Sequence, residues 1–272
     1  MATARAHLKV ARIGYLIARF LLDAKIASMR APYRAAKLRA LTENAGRYAR
    51  LALDTLEIQV ELKGPGASLL GKRPFLMAGN HLSYLDALTI ASVRPSIFVT
   101  SVDMGETPVI GEIARLGGSV FVERRHRERV SQDRNEIGMV LAAGHSVMIY
   151  PEGTSTCGDT VLPFKKTLLM SAVDAGVDVL PITVSYPEVD ARSFGPATRD
   201  LVCWYGEMGF FSHLRALAGA RGAKCVLYVS EPILAHSEIT RDELAERSHK
   251  AVSQAFIGAN SSTSGPAQTL AL

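Results

Sequence analysis

The sequence predicts an α/β fold: a mixed, largely parallel sheet flanked by helices, with an amphipathic helical pair at the N-terminus. Two observations predict the core. Short apolar runs rich in β-forming residues recur between positions 56 and 229, and segments of helical period separate them. A third sets the N-terminus apart. Eleven Lys and Arg lie in the first fifty residues against only Asp23 and Glu43, a net +9, whereas the whole chain carries +5 and the remainder is therefore −4. A chain of 272 residues buries one substantial core with a small appended element. This gives three segments: docking helices over 1–55, an α/β domain over 56–257, and a Ser-, Thr-, Gly- and Ala-rich disordered tail over 258–272.

In chain order, the first helix comes first. At 100° per residue, Arg5, Lys9, Arg12, Arg19, Asp23 and Arg30 fall on one narrow stripe. Val10, Ile13, Ile17, Phe20, Leu21 and Ala24 take the broad opposite side, and Lys25 breaks the pattern. A basic amphipathic helix of this kind suits the interface of an anionic membrane, so the expected location is peripheral, on the cytoplasmic face. A hairpin packed on the domain is the alternative. The longest uncharged apolar stretch, 13–18, is far short of the ~20 residues that span a bilayer. A secretory cleavage site and a clean apolar centre are both missing. Pro32 then permits a second helix over 33–55.

Leu56, Ile58, Val60 and Leu62 alternate as a strand closed by Gly64-Pro65-Gly66. Further strands are expected near 74–79, 96–102, 118–123, 145–150 and 178–186, and later at 201–205 and 225–229. Helices are expected near 84–92, 108–116, 127–143, 165–175 and 241–256. Gly144 and Gly176 stand where helix C-caps belong.

The chemistry concentrates at the ends of these runs. Asn80-His81-Leu82-Ser83-Tyr84-Leu85-Asp86 follows an apolar strand and opens a helix with Ser83 as N-cap, which puts His81 at a strand's carboxyl end. A helix starting there can return the Asp86 carboxylate to the imidazole, and a histidine so held is a general base of fixed tautomer. Three more segments follow: Gly118 to Arg124, a β-type run ending on arginine; Tyr150-Pro151-Glu152-Gly153-Thr154, a turn closing a strand around a carboxylate; and Val179-Leu180-Pro181-Ile182, where a central strand would not normally tolerate proline. Taken singly, Arg124 heads a charged run that reads as a solvated face, Glu152 as a turn residue and Pro181 as a strand-edge kink.

In order and spacing the four segments resemble the four motifs of the glycerolipid (lysophospholipid) acyltransferase family, over about 100 residues, and Phe164-Lys165-Lys166 resembles it too. The resemblance implies acyl transfer from a thioester, acyl-CoA or acyl carrier protein, to a hydroxyl of glycerol phosphate or a lysolipid. Those co-substrates apart, it implies no cofactor and no metal. It implies His81 as the base that activates the acceptor hydroxyl and Asp86 as its orienting carboxylate. Arg124 is implied as the ligand of an anionic head group, Glu152, Gly153 and Thr154 as the acceptor site, and Lys165 and Pro181 as further substrate-site residues. 1-Acyl-glycerol-3-phosphate is the expected acceptor. The pattern departs from the family at Ser155, where many members that take phosphate-bearing acceptors have arginine, and at Thr167, where many have glycine. Lys165 or Lys166 is the candidate replacement charge, and lyso-ornithine lipid or another lysolipid the alternative acceptor.

Other classes fit less well. Gly66-Ala67-Ser68-Leu69-Leu70-Gly71-Lys72 matches most of a nucleotide phosphate loop, but Arg73 and Pro74 follow where Ser or Thr and a helix are required. A pI near 9.2 suggests nucleic acid, yet the basic residues sit on an apolar-backed helix without stacking aromatics. Cys157, Cys203 and Cys225 are too few and too scattered for a metal knuckle or disulfide framework. Asn260-Ser261-Ser262 fits a glycosylation acceptor without a signal peptide to go with it. Hydrophobic content of 48% and a mean hydropathy of +0.13 accord with surface attachment. A thioester hydrolase would need no anchored Arg124, and an inactive lipid-surface protein would have no use for intact His81, Asp86 and Glu152.

Overall fold

The computed structural model describes residues 2–123 and 129–261. Helices α1 (Ala2–Arg30) and α2 (Arg34–Leu56) precede strand β1 (Ile58–Lys63). Strand β2 (Leu76–Gly79), α3 (Tyr84–Val93), β3 (Ile97–Ser101), α4 (Val102–Glu106), α5 (Ile110–Leu116), β4 (Val120–Val122), α6 (Val130–Ala142) and β5 (Val147–Ile149) follow. The chain ends with α7 (Ser171–Ala175), β6 (Val179–Val189), β7 (Arg192–Ser193), α8 (Phe210–Gly219), β8 (Ala223–Val229) and α9 (Arg241–Ser261).

The sheet runs β1-β8-β6-β2-β5-β3-β4, with β7 a short antiparallel partner of β6. From β6 to β4 every pairing is parallel; β8 runs antiparallel to β6 and parallel to β1. A mixed, mostly parallel sheet flanked by helices is what the alternating pattern predicts. Strand β2 is buried throughout, as its uninterrupted apolar run requires when helices cover both faces. Its last residue, Gly79, lies against β6 so closely that a Cβ would strike the Ile182 carbonyl and the Met148 methyl.

Pro181 occupies a central strand after all, opposite Ala78 of β2. The physical reason is direction. Its carbonyl accepts from Ser230 N at 3.0 Å, so its nitrogen also points toward β8, just past that strand's end, and no ladder bond to β2 is lost.

Other differences are local. Residues 201–205, expected as a strand, form the end of a 3-10 turn (Arg199–Leu201) and an irregular segment. Helices α4 and α8 were not expected. The 165–175 helix shrinks to a 3-10 turn and α7, ended by Gly176 in the left-handed region. Helix α9 continues through Ser261, past the expected tail boundary at 258; positions 262–272 lie outside the described residues.

The N-terminal pair packs on the domain. Ile13, Leu16, Phe20 and Ala24 of α1 are buried in the core, against α2, α5 and α8. Part of the basic stripe is also engaged: Arg5 and Lys9 both reach Glu57, Lys9 donates to the Ala220 carbonyl, and Asp23 accepts from Arg47 and the Tyr48 hydroxyl, each at 2.6 Å. What α1 leaves outside is a different line, Leu8, Tyr15, Leu22 and Met29, spaced by seven and 49–72% exposed. No described helix is long and apolar enough to cross a membrane.

Candidate active site

Strands β2 and β5 are parallel neighbours, with Ala78 opposite Ile149. Three residues further along each, His81 and Glu152 emerge side by side at the carboxyl edge of the sheet. Asn80 secures this edge: its amide donates to the Val184 carbonyl at 2.9 Å and accepts from Val184 N at 2.8 Å, bracketing β6.

The turn into α3 is a capping box. Ser83 Oγ accepts from Leu85 N at 3.3 Å, and the Asp86 carboxylate reaches back to Ser83 N at 2.8 Å and Leu82 N at 2.6 Å. The same oxygen, Asp86 Oδ2, meets His81 Nδ1 at 2.9 Å. An ionised carboxylate can only accept, so Nδ1 carries the proton and Nε2 presents its lone pair. Nε2 has no protein partner among the described residues, and the His81 side chain is 25% exposed whereas that of Asp86 is wholly buried. The second Asp86 oxygen faces the Tyr186 hydroxyl at 3.5 Å.

Glu152 is 5% exposed, and both its oxygens are taken by backbone amides, His81 N at 2.6 Å and Leu162 N at 2.8 Å. Burial pushes its carboxyl up to about 7, against the pull of those two amides. One oxygen anchors the His81 backbone and the other the Leu162 backbone. Under the imidazole lies the ring of Tyr150, stacked with centroids 4.1 Å apart and planes inclined by 14°.

The remaining expected residues divide. Gly153, at φ +79°, is crossed by the Lys165 side chain, whose ammonium occupies the space a Cβ would need. Lys165 N donates to the Pro151 carbonyl at 2.9 Å, which holds it over this turn, while Lys166 is drawn away to Asp242 of α9. Thr154 is exposed on the loop. Pro181 lies in β6 opposite Ala78, three residues before His81. Arg124 lies outside the described residues. Ser155 donates to the Trp204 carbonyl at 2.6 Å, and Trp204 N donates to the Leu82 carbonyl at 2.8 Å, so the 203–205 segment is tied to the site. Sequence reasoning missed Asn80, Tyr150, Tyr186 and Trp204 as parts of this assembly; Tyr150 could have been found as the last strand residue before the Pro-Glu-Gly turn. Among the described residues no cluster of three or more His, Cys, Asp or Glu could hold a metal.

Residues 57–185 match the family described as Acyltransferase. A lyso-ornithine lipid O-acyltransferase of Pseudomonas aeruginosa is 30% identical over 278 residues, covering 99% of this chain and 98% of that one. The chain belongs to the acyltransferase family. A lyso-ornithine lipid O-acyltransferase of Rhizobium meliloti is 34% identical over 61% of the chain, and a 1-acyl-sn-glycerol-3-phosphate acyltransferase of Neisseria gonorrhoeae 32% identical over 55%. The chain spans 58% of the length of each of those two relatives. The family fold is also seen in the crystal structure of the 1-acyl-sn-glycerophosphate (LPA) acyltransferase PlsC from Thermotoga maritima. The likeness has a TM-score of 0.68 at 20% identity and covers 95% of this chain and 97% of that one.

Proposed function

We propose that the protein transfers an acyl group from a thioester, of coenzyme A or an acyl carrier protein, to the free hydroxyl of a lysolipid. The observation that carries this is the open Nε2 of a histidine whose Nδ1 is held by a fully buried carboxylate. His81 Nε2 takes the acceptor's proton as its oxygen attacks the thioester carbonyl. The tetrahedral adduct expels the thiolate, and the imidazolium returns the proton to sulfur, leaving an ester and a thiol. Asp86 holds the tautomer and faces the imidazolium charge.

Of the acceptors, lyso-ornithine lipid has the broader support. The relative similar over nearly the whole chain carries that name, and Ser155 supplies no cation, its hydroxyl being committed to Trp204. One observation favours 1-acyl-glycerol-3-phosphate: Lys165 sits over the Glu152-Gly153 turn without a carboxylate partner among the described residues. For location, the outer line of α1 (Leu8, Tyr15, Leu22, Met29), with Arg12 and Arg30 beside it, suits the cytoplasmic surface of an anionic bilayer. Labelled acyl thioester and purified lyso-ornithine lipid in anionic vesicles test the reading: an acylated product lost in His81→Ala supports it, and free fatty acid alone refutes transfer.

A further inference from the structure

We infer that Tyr150 is a positioning residue for His81, acting through the face of its ring. The inference rests on the reading of His81 as the base. Tyr150 follows the last residue of β5, and His81 stands two residues past the end of the neighbouring β2, so the sheet sets the two side chains together. His81 is held by two hydrogen bonds, its ring Nδ1 on Asp86 and its backbone amide on Glu152. The Nδ1 bond decides which edge of the ring faces Asp86 and so turns Nε2 toward the open side. It does not by itself fix the tilt of the ring plane; the Tyr150 ring, stacked at 4.1 Å and inclined by only 14°, blocks tilting on that face.

The same contact acts on charge. When His81 accepts the acceptor's proton it becomes a cation lying face-on over an aromatic ring, the geometry of a cation–π contact, in surroundings largely screened from water. The stack therefore favours the protonated state formed during the reaction over the resting state, which is where stabilisation raises rate.

The hydroxyl of Tyr150 has no part in this. It is buried with no hydrogen-bond partner among the described residues, and burial pushes its ionisation well above the ordinary range. An unpartnered buried hydroxyl is a cost to the fold. Ring and hydroxyl thus make opposite predictions.

The test compares Tyr150→Phe and Tyr150→Leu with the wild-type full chain on vesicles of anionic phospholipid carrying lyso-ornithine lipid, with an acyl thioester. Tyr150→Phe keeps the platform and is expected to retain wild-type kcat and melt at a higher temperature. Tyr150→Leu is expected to lose roughly tenfold in kcat with KM unchanged, the size of a desolvated cation–π contact. The acid limb of its kcat/KM profile is expected to move to lower pH, since the imidazolium has lost its support. In wild type, NMR of labelled histidine should place the His81 ring protons upfield of a free imidazole, in the shielding cone of Tyr150, and Tyr150→Phe should keep them there. This readout needs no turnover and no leucine variant. Wild-type kcat and an unmoved acid limb in Tyr150→Leu, equal damage in both variants, or unshifted ring protons in wild type would each overturn the inference. Full activity of His81→Ala would instead remove the reading of His81 as base, with the ring-proton shift still reporting the stack.

Discussion

The carboxyl edge of β2 and the N-terminal helix α1 both place charge against an apolar surface, and they do so by opposite means. At the site the bonds are short in sequence: Asp86 serves His81, Leu82 and Ser83, all within five residues. Along α1 they are long: Arg5 and Lys9 find Glu57, Lys9 finds Ala220, and Asp23 finds Arg47 and Tyr48. A capping box assembles whenever its helix forms. Which face of α1 meets the protein depends on helices far along the chain. One region is legible from a seven-residue window, and the other is not.

The comparison can be broken at its stronger end first. His81→Ala should cost ~100- to 10,000-fold in kcat/KM, measured as acyl transfer at saturating thioester, with little change in stability. Asp86→Asn should cost roughly 100-fold or more, because an amide can present its NH2 to Nδ1 and reverse the tautomer. It should also lower stability by about 1–3 kcal/mol in urea unfolding, since two buried backbone amides lose a charged acceptor. If Asp86→Asn unfolds like wild type and turns over like wild type, the local wiring described here is wrong.

Glu152→Gln sharpens the contrast, since it joins β2 to β5 across 71 residues. Transfer should fall roughly tenfold as an NH2 group replaces one of the two oxygens that accept from the His81 and Leu162 amides. The stability effect depends on pH with a definite sign. The Glu152 carboxyl titrates near 7 in the fold against an ordinary 4.5, so the protonated form is the one the fold favours. Its contribution is complete below about pH 4.5 and is lost as the pH rises through 7. Relative to wild type, melting of Glu152→Gln should therefore improve between pH 4.5 and 8. A parallel pair of melting curves would contradict that assignment.

At the weaker end, α1 has an inner and an outer apolar line. Phe20→Ala should cost about 3–5 kcal/mol, visible as a lower melting temperature, because Phe20 lies in the core. The pair Tyr15→Glu with Leu22→Glu should leave stability within about 0.5 kcal/mol and abolish flotation with anionic vesicles. Loss of flotation from Phe20→Ala in folded protein, with none from the outer pair, would reverse the assignment of faces.

The pattern of what was legible follows from the same physics. His81, Ser83 and Asp86 could be placed on a strand end and a helix cap because that geometry is local. Glu152 could be placed on its turn, but its backbone partners, His81 N and Leu162 N, arrive only when β5 pairs with β2, and no local pattern encodes them. Residues 201–205 looked like a strand by composition; in the fold their backbone is spent on Leu82 and Ser155, which no periodicity encodes. Helix α8 hides behind Gly206, Gly209, Gly219 and Gly222, which read as turns. In α1 the apolar side was found, and of the two uses weighed for it the fold takes packing on the domain: the width that suits a bilayer also suits three neighbouring helices.

The most direct measurement is mass spectrometry of the lipid products from purified protein, isotope-labelled acyl thioester and a mixed panel of lysolipids in anionic vesicles, with His81→Ala alongside. The expected result is one labelled diacyl lipid, absent in the variant, with free thiol released in equal amount. Labelled fatty acid without any diacyl product, or a diacyl product that persists in His81→Ala, would contradict acyl transfer by this histidine.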